Sequence, residues 1–456
     1  MTRTQIFSSA AKALAENGVP PLLMRDDIGA LDSLIEVDVL VPARCLDRSV
    51  SILQQAGWEL LDSGLFHTAK RAVVLLHGGD LLKLDIHGEV IDEGLVYLSN
   101  YSMFEGASPS DLGFLIPKDE PWLVHVLMHS ILGKTVVPEK LRSGLVDRFA
   151  RGPDINAMHS LASTYGLADV LANTVDQIVR GRAFDNAAAI AGLRATAKRA
   201  LLKDRGNVAR RFWQKAVWPI GQSMGWRPGV FIAFIGPDGA GKSSTIDALA
   251  GHLQRIGIPV RSAYLGPWDR HILPLTRWLL QFGVGPCDEV YDLGPKTPWL
   301  TRVRKHVYAN IKRTLYYTNM LLEIWARHVG RVWPHLALRR TVLGDRYACD
   351  LEVGYFNREI RSWKTVRRMV SRLSPKPDFL VLLDNDPNTI WSRKREYPIE
   401  TINSVLQRYH SVAVQHGAIV VRTDRSPDEV AASFLETYWR AIIRLRRDRL
   451  RFWGVA

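Results

Sequence analysis

The sequence predicts an α/β protein in three parts. Residues 229–456 form an α/β domain with a five-stranded parallel sheet, residues 1–117 an α+β domain, and residues 118–228 a helical segment. Three observations support this prediction. Short apolar runs alternate with helical stretches in the last part, which is typical of a parallel sheet covered on both faces. Strand and turn signals alternate in the first part, and strand signals disappear between the two.

Composition narrows the classes of partner. The 456 residues carry a formal charge of +14, and 47% are hydrophobic, enough for two or three domain cores. The positive charge favours anionic partners such as nucleotides, nucleic acid or an acidic membrane surface, and no specific nucleic-acid motif accompanies it. Cys45, Cys287 and Cys349 lack metal-ligand spacing, which predicts a reduced, cytoplasmic setting. Neither a signal-peptide core nor a membrane-spanning apolar run is present, so we expect a soluble or at most peripheral protein.

The first domain contains a set of acidic residues on predicted strands. Glu36 and Asp38 lie two residues apart in the strand candidate 35–41, so their side chains share one face. Asp85 lies in the strand candidate 81–87, which is expected to pair with residues 73–76. Together the three carboxylates are candidate ligands of a Mg²⁺ ion.

These strands resemble those of the minimal nucleotidyltransferase fold, in which an Asp-x-Asp pair and a third acid hold Mg²⁺ for nucleotidyl transfer. The resemblance implies this role for Glu36, Asp38 and Asp85. Glu36 replaces the usual Asp, and the expected Gly-Ser turn is at best Gly29-Ala30. Two interpretations therefore stay open: nucleotidyl transfer, and a degenerate domain retained for binding or regulation.

The middle segment is helical in period from Lys118 to about residue 218. His129 and His159 lie in apolar contexts and are interpreted as packed core histidines. Residues 187–218 become basic and include Trp213, which fits a solvated helix face or a surface for a polyanion. A Trp-Arg-Pro-Gly break at residues 226–229 predicts the boundary to the last domain.

A glycine-rich loop opens the last domain. The apolar run 230–235 predicts a buried strand, and the apolar spacing after residue 245 predicts a helix. Between them lie Gly236, Pro237, Asp238, Gly239, Ala240, Gly241, Lys242, Ser243 and Ser244. Strand, glycine-rich turn and helix N-terminus form the P-loop signature, in which backbone N–H groups surround phosphates. The prediction is a nucleoside triphosphate site in which Lys242 contacts the β- and γ-phosphates and Ser243 ligates Mg²⁺.

Four further strand candidates follow: residues 260–265, 341–343, 379–383 and 418–421. Each ends in polar residues or glycine, for example Asp345-Arg346, Asp384 and Thr423. The carboxyl ends of parallel strands lie at one edge of a sheet, so these groups are expected to converge on one rim.

This half resembles the thymidylate kinase family over nearly all of residues 229–456. The motifs are the acid Asp238 at the third loop position, Asp345-Arg346-Tyr347 after a strand, and a basic lid at residues 390–396. The resemblance implies an ATP-dependent kinase in which Asp238 faces the phosphoryl acceptor and Arg346 holds its anionic group. Asp345 would act near Mg²⁺ or the acceptor, and Arg393 and Arg395 would close over the transferred group.

The acceptor is not evident from the sequence. Residues 266–340 are rich in Trp, Tyr and Arg, but no thymine-reading residues align there. The lid resembles that of thymidylate-kinase-like proteins encoded with surface-polysaccharide genes, which implies a nucleoside monophosphate, a sugar or a glycolipid as acceptor. A nucleotide-gated binding protein with little catalysis is the remaining alternative, and the oligomeric state is left open.

The C-terminal residues 439–453 predict a last helix. Arg440, Arg444, Arg447 and Arg451 form a basic stripe, and Trp439, Ile443, Leu450 and Trp453 form an apolar one. Such a helix either docks on its own domain or attaches to an anionic membrane face. We therefore expect a cytoplasmic protein with a potential peripheral contact to the inner face of the membrane.

Overall fold

The computed structural model describes residues 1–25, 28–62, 69–133, 139–179, 187–213, 216, 229–282, 284, 299–354 and 363–451. The chain divides into two compact units, one reaching to Met224 and the other comprising Gly225–Leu450. No helix in these described ranges is both long enough and apolar enough to cross a bilayer. Cys287, Trp453 and residues 226–228 of the predicted boundary lie outside the described residues.

The first unit combines a mixed sheet with helices. Its strands are β1 (Leu22–Leu23), β2 (Glu36–Leu40), β3 (Glu59–Asp62), β4 (Lys70–His77), β5 (Asp80–His87), β6 (Val90–Asp92), β7 (Leu95–Leu98), β8 (Ser108–Pro109) and β9 (Leu115–Ile116). Its helices are α1 (Arg3–Glu16), α2 (Leu46–Gln55), α3 (Asn100–Phe104), α4 (Asp119–Gly133), α5 (Glu139–Ala150), α6 (Ile155–Ser163), α7 (Ala168–Val179), α8 (Ala187–Leu201) and α9 (Arg205–Phe212).

Strand alternation in this unit decides which residues face which core. The larger sheet has the order β3-β4-β5-β2-β1-β9-β8, and β2 runs parallel to β5. Val37 and Val39 point into a core shared with α1 and α2. Leu40 belongs to the opposite core, which it shares with α4, α6 and α8. Asp38 lies on the same face as Leu40, because side chains alternate along a strand.

The predicted helical segment packs on the sheet of the first unit. Trp122, Leu127 and Ile131 of α4 pack in one hydrophobic core with Leu22 and Leu40 of the sheet. Most of α4 is buried, because it has the sheet on one side and other helices around it. Helices α4 to α9 therefore complete the first unit by covering one face of its sheet.

The second unit contains the predicted parallel sheet. Its strands are β10 (Phe231–Ile235), β11 (Val260–Tyr264), β12 (Thr341–Asp345), β13 (Phe379–Asp384) and β14 (Ile419–Arg422). Its helices are α10 (Lys242–Arg255), α11 (Pro274–Gln281), α12 (Trp299–Arg327), α13 (Trp333–Ala337), α14 (Asp350–Val353), α15 (Lys364–Leu373), α16 (Pro387–Arg393), α17 (Ile399–His416) and α18 (Pro427–Arg451). A π-helical turn, His328–Val332, joins α12 to α13.

The sheet order is β11-β12-β10-β13-β14, and every pairing is parallel, which confirms the five predicted strands. The central strand β10 is buried along its whole length, as its continuous apolar sequence predicts. From the central strand β10, the chain first adds β11 and β12 at one edge of the sheet. After β12 it crosses over and adds β13 and β14 at the other edge. The strand order therefore reverses between β10 and β13, and ligands bind at the carboxyl ends of strands at such a point.

The C-terminal helix is longer than predicted, since α18 begins at Pro427. Trp439 and Ile443, half of the predicted apolar stripe, are both 2% exposed. Arg440 and Arg444 are exposed. The described part of the apolar stripe is therefore already buried by the fold.

Candidate functional site

The glycine-rich loop, residues 236–243, connects β10 to α10 at the point where the strand order reverses. Gly236, Gly239 and Gly241 all have positive φ, at 144°, 88° and 87°. A Cβ at Gly236 would lie 2.7 Å from the carbonyl oxygen of Leu383 on β13, and one at Gly239 would lie 3.1 Å from that of Ile390. Only glycine combines this backbone with such close approach, so the loop requires these residues. The N-terminus of α10 follows at Lys242 and has no side-chain cap.

The Lys242 ammonium lies inside the loop rather than in solvent. Its Nζ donates hydrogen bonds to the carbonyl oxygens of Gly236 and Pro237 at 2.9 and 2.8 Å and lies 3.6 Å from Asp238 Oδ1. Burial, followed by the nearby Arg346 guanidinium, lowers the pKa of Lys242 to about 8. The lysine is thus a desolvated cation placed beside a helix N-terminus, where an anion is favoured.

Arg346 lies across the site from the loop, immediately after β12. Its backbone has a φ of 65°, a left-handed conformation that is unusual for a residue with a side chain. Its guanidinium contacts Asp238 and lies 3.5 Å from Asp350 and 3.4 Å from the hydroxyl of Tyr409. Burial opposes the charge of Asp238, but Arg346 and Lys242 outweigh it and lower the pKa of Asp238. Asp238 is therefore an ionised carboxylate held between two cations.

The carboxylate of Asp345 shows whether this site can hold a Mg²⁺ ion. It is the last residue of β12 and lines the same cavity as Ser243. Among the residues that the structure describes, the buried Oδ1 of Asp345 has no hydrogen-bond partner. A buried acceptor without a partner is costly, and a carboxylate and a hydroxyl that line one cavity are oxygen ligands of the kind that Mg²⁺ takes. The residues here fit the predicted ion.

The basic lid borders the loop from the other side. Arg393, at the end of α16, has one guanidinium nitrogen 3.6 Å from a Cβ built at Gly241, and Lys394 follows it along the cavity wall. Arg395 differs, because its guanidinium lies 4.9 Å from the centroid of the Trp391 ring, in a cation–π contact. The structure therefore brings Arg393 to the loop and places Arg395 on the lid's own aromatic residue.

A cavity of about 560 Å³ joins these groups. The predicted residues in its wall are Asp238, Gly239, Gly241, Lys242, Ser243, Ser244, Asp345, Arg346 and Arg393. Gly236, Pro237 and Ala240 belong to the loop behind this wall, and Arg395 is not in the wall. Lys394 and Arg425 add positive charge to the wall. The arrangement can hold a polyanion with several cations and can place a carboxylate beside it.

Two carboxylates of the second predicted site, on the first unit, lie close together, but basic side chains of the protein already pair with them. Asp38 and Asp85 are register partners on β2 and β5, and their carboxylates with the His87 ring form a group whose ligand atoms lie within 4.8 Å. Glu36 is outside this group, so the third ligand would be a histidine rather than the predicted glutamate. Asp38 contacts Arg25 and lies 3.1 Å from His87 Nε2.

Lysines neutralise the other carboxylates of this site. Asp85 contacts Lys70 and lies 3.1 Å from Lys83 Nζ, which is 3.2 Å from Glu36. Burial opposes ionisation of Asp85, but the two lysines lower its pKa, and burial followed by Asp85 raises the pKa of Glu36. Three carboxylates face three cations, counting Arg25, so a divalent ion would have to displace buried ion pairs. The residues here do not fit the Mg²⁺ site that the resemblance implies.

Two residues of the loop site were missed by sequence reasoning. Asp350 is 1% exposed and Tyr409 is 3% exposed, and both face Arg346 from α14 and α17. Burial raises the pKa of Asp350, although the Arg346 guanidinium lowers it in part. No helical spacing signalled Asp350, because Arg346 has a left-handed backbone and α14 begins only at Asp350. For Tyr409 the sequence offers no signal either.

Comparison with known proteins adds no relative: no protein-family model matches the chain, and no curated protein matches it either.

Proposed function

We propose that the second unit is an ATP-dependent kinase of the thymidylate-kinase-like type. The observation that carries the proposal is the convergence of Lys242, Ser243, Asp345, Arg346 and Arg393 on one cavity at the carboxyl edge of the parallel sheet. Bound Mg·ATP would supply the γ-phosphoryl group. The loop amides and Lys242 would hold its phosphates, and Ser243 and Asp345 would hold the metal.

The remaining residues divide between acceptor and lid. Arg346 would hold an anionic group of the acceptor, and the ionised Asp238 would face the acceptor, where it would accept a hydrogen bond from the attacking hydroxyl of a sugar. Arg393 and Lys394 would neutralise charge on the transferring oxygens and exclude water when the lid closes. The acceptor class we propose is a nucleoside monophosphate, or a sugar or glycolipid of surface-polysaccharide synthesis.

Replacing Lys242 with Ala tests the donor half of this proposal. We expect phosphoryl transfer from labelled ATP to fall by orders of magnitude, because the phosphates lose their buried cation. Nucleoside monophosphates, sugars and cell-envelope glycolipids would be assayed as acceptors. Lys203→Ala, at an exposed position on the other unit, is the matched control and should retain activity. Unchanged turnover in Lys242→Ala would contradict the proposal; tight ATP binding without transfer to any acceptor would favour a nucleotide-gated binding protein.

Replacing Arg346 with Gln tests the acceptor half. Loss of a charge-assisted contact should raise the acceptor KM, lowering kcat/KM roughly tenfold to a hundredfold, while the Kd for ATP changes little. Steady-state kinetics and calorimetric ATP titration measure the two effects separately. Thermal unfolding is the control for folding, since Arg346 also compensates the buried Asp350. Equal weakening of ATP and acceptor binding would contradict the assignment.

We do not extend the proposal to nucleotidyl transfer by the first unit, because the carboxylates there are already paired with Arg25, Lys70 and Lys83.

A further inference from the structure

Helix α12 presents an apolar stripe to solvent on the side opposite its buried face. Leu300, Val303, Val307, Ile311, Leu315 and Leu322 recur at spacings of three, four and seven residues, so they share one side of the helix. Each is between 49% and 65% exposed. The residues that pack into the second unit lie on the other side: Tyr316, Tyr317, Met320 and Ile324 are at most 4% exposed. The exposed stripe is therefore additional to the face that the fold uses.

The N-terminal half of this helix has little support from its own unit. Among the described side chains of residues 299–315 none is buried. A solvated helix of this length is marginal in water, and its stability normally comes from packing an apolar face. An apolar face that recurs through four turns without a core to cover it indicates an external surface that the helix contacts.

The charges of α12 favour an anionic surface. Residues 299–322 contain Arg302, Arg304, Lys305, Lys312 and Arg313 and no Asp or Glu. Docking against a second copy of the same helix would bring like charges together, which is unfavourable. An anionic lipid surface complements them, and Lys and Arg next to an apolar stripe are typical of helices that lie in the bilayer interface.

A neighbouring helix has the same arrangement. On α11 and the residue after it, Leu275, Trp278 and Phe282 are exposed, and the rings of Trp278 and Phe282 lie 4.7 Å apart. Thr276 and Leu279 are buried on the opposite side, where Thr276 accepts a hydrogen bond from Asn319 of α12. Trp and Phe are side chains that interfacial helices insert among lipid headgroups. Residues 274–282 contain Arg277 and no acidic residue.

We propose that α12, together with α11, docks the protein on an anionic bilayer surface. The apolar stripe lies at the boundary between headgroups and acyl chains, and Arg and Lys side chains of the same helix contact the headgroup phosphates. This surface differs from the C-terminal helix α18, in which Trp439 and Ile443 of the apolar stripe are buried. Docking does not depend on phosphoryl transfer and is measured without it.

The test is flotation of the full chain with vesicles of phosphatidylcholine containing phosphatidylglycerol, and with vesicles of phosphatidylcholine alone. We expect binding to the anionic vesicles that weakens with salt, because screening acts on exposed charges. Val307→Gln/Ile311→Gln should lower the partition coefficient roughly tenfold or more at unchanged net charge. The control Val208→Gln/Val414→Gln removes two other exposed valines and should float like the wild type.

Three results would overturn the docking proposal. One is equal flotation of the Val307→Gln/Ile311→Gln variant and the wild type, which would mean that net charge alone attracts the vesicles. Another is a dimer in light scattering that this variant abolishes, which would identify a second copy as the occupant. The last is a loss of folding stability in this variant, which would show that another segment of the chain covers the stripe.

Discussion

Lys242 is a charged side chain at a position only 7% exposed, and its charge depends on pH near neutrality. Burial and Arg346 lower its pKa to about 8, so in the free protein it is largely protonated at pH 7 and largely neutral above pH 9. A bound triphosphate would favour the protonated form and raise this pKa. Binding of ATP to the proposed site would therefore be accompanied by uptake of a proton at alkaline pH.

This linkage predicts the pH dependence of ATP affinity. The Kd for ATP should be nearly constant below about pH 7.5 and should rise above pH 8, by up to about tenfold per unit. Calorimetry in buffers of different ionisation enthalpy measures both the affinity and the proton uptake. In Lys242→Arg the guanidinium stays charged, so whatever affinity remains should not vary over this range. A flat profile for the wild-type protein would show that another group holds the phosphates.

At the scale of elements, the strand-loop-helix unit β10–α10 depends on close approach between the loop and β13. Gly236 has a φ of 144°, and a Cβ there would be 2.7 Å from a backbone oxygen that cannot move without disturbing β13. Adding a single methyl group therefore strains both the loop and the neighbouring strand. The packing of the loop against β13 therefore requires glycine at this position, whether or not a nucleotide is bound.

Gly236→Ala should lower the free energy of unfolding by roughly 1–3 kcal/mol, because it combines an unfavourable backbone with a steric clash. Gly251→Ala is the matched control on the following helix, α10, where nothing lies within 4 Å of the added Cβ. It should raise stability by roughly 0.5–1 kcal/mol, since alanine favours helices. Urea denaturation measures both. Similar effects of the two substitutions would contradict the close approach described for Gly236.

At the scale of the whole molecule, the described part of the first unit contains a network of three histidines. His87, His125 and His129 surround Arg25, Asp38, Asp92 and Tyr97, with Tyr97 hydrogen-bonded to His125 Nδ1 at 2.9 Å. Burial lowers the pKa of all three, most strongly that of His125. His159, predicted to be a core histidine, is instead exposed on α6.

These histidines predict that acid destabilises the first unit. Their folded pKa values lie below 6.5, so below about pH 6.5 the unfolded chain binds more protons than the folded one. Stability is complete above that pH and is lost as pH falls, by up to about 1.4 kcal/mol per unit for each histidine. Hydrogen exchange of β2 and β5 between pH 7 and pH 5, corrected for intrinsic rates, measures this loss. His125→Gln should reduce the slope by about one proton; an unaltered slope in this variant would contradict the network's role.

The sequence alone determined the parallel sheet and the position of the glycine-rich loop, because both rest on local signals. Apolar runs form buried strands, and a loop that needs positive φ requires glycine, so neighbouring residues are sufficient. The sequence also predicted that Lys242, Asp345 and Arg346 lie on one rim, because the carboxyl ends of parallel strands lie at the same edge of a sheet.

Tertiary structure decided what those signals could not. The cations beside Asp38 and Asp85 come from separate elements, and their pairing turns a predicted metal site into a neutralised cluster. Asp350 and Tyr409 reach Arg346 only through the packing of α14 and α17. The same holds for the apolar stripes of α12 and α18. Periodicity shows that a helix has an apolar face, but whether that face is buried depends on which elements pack against it. That is why Trp439 lies in a core whereas Val307 faces solvent.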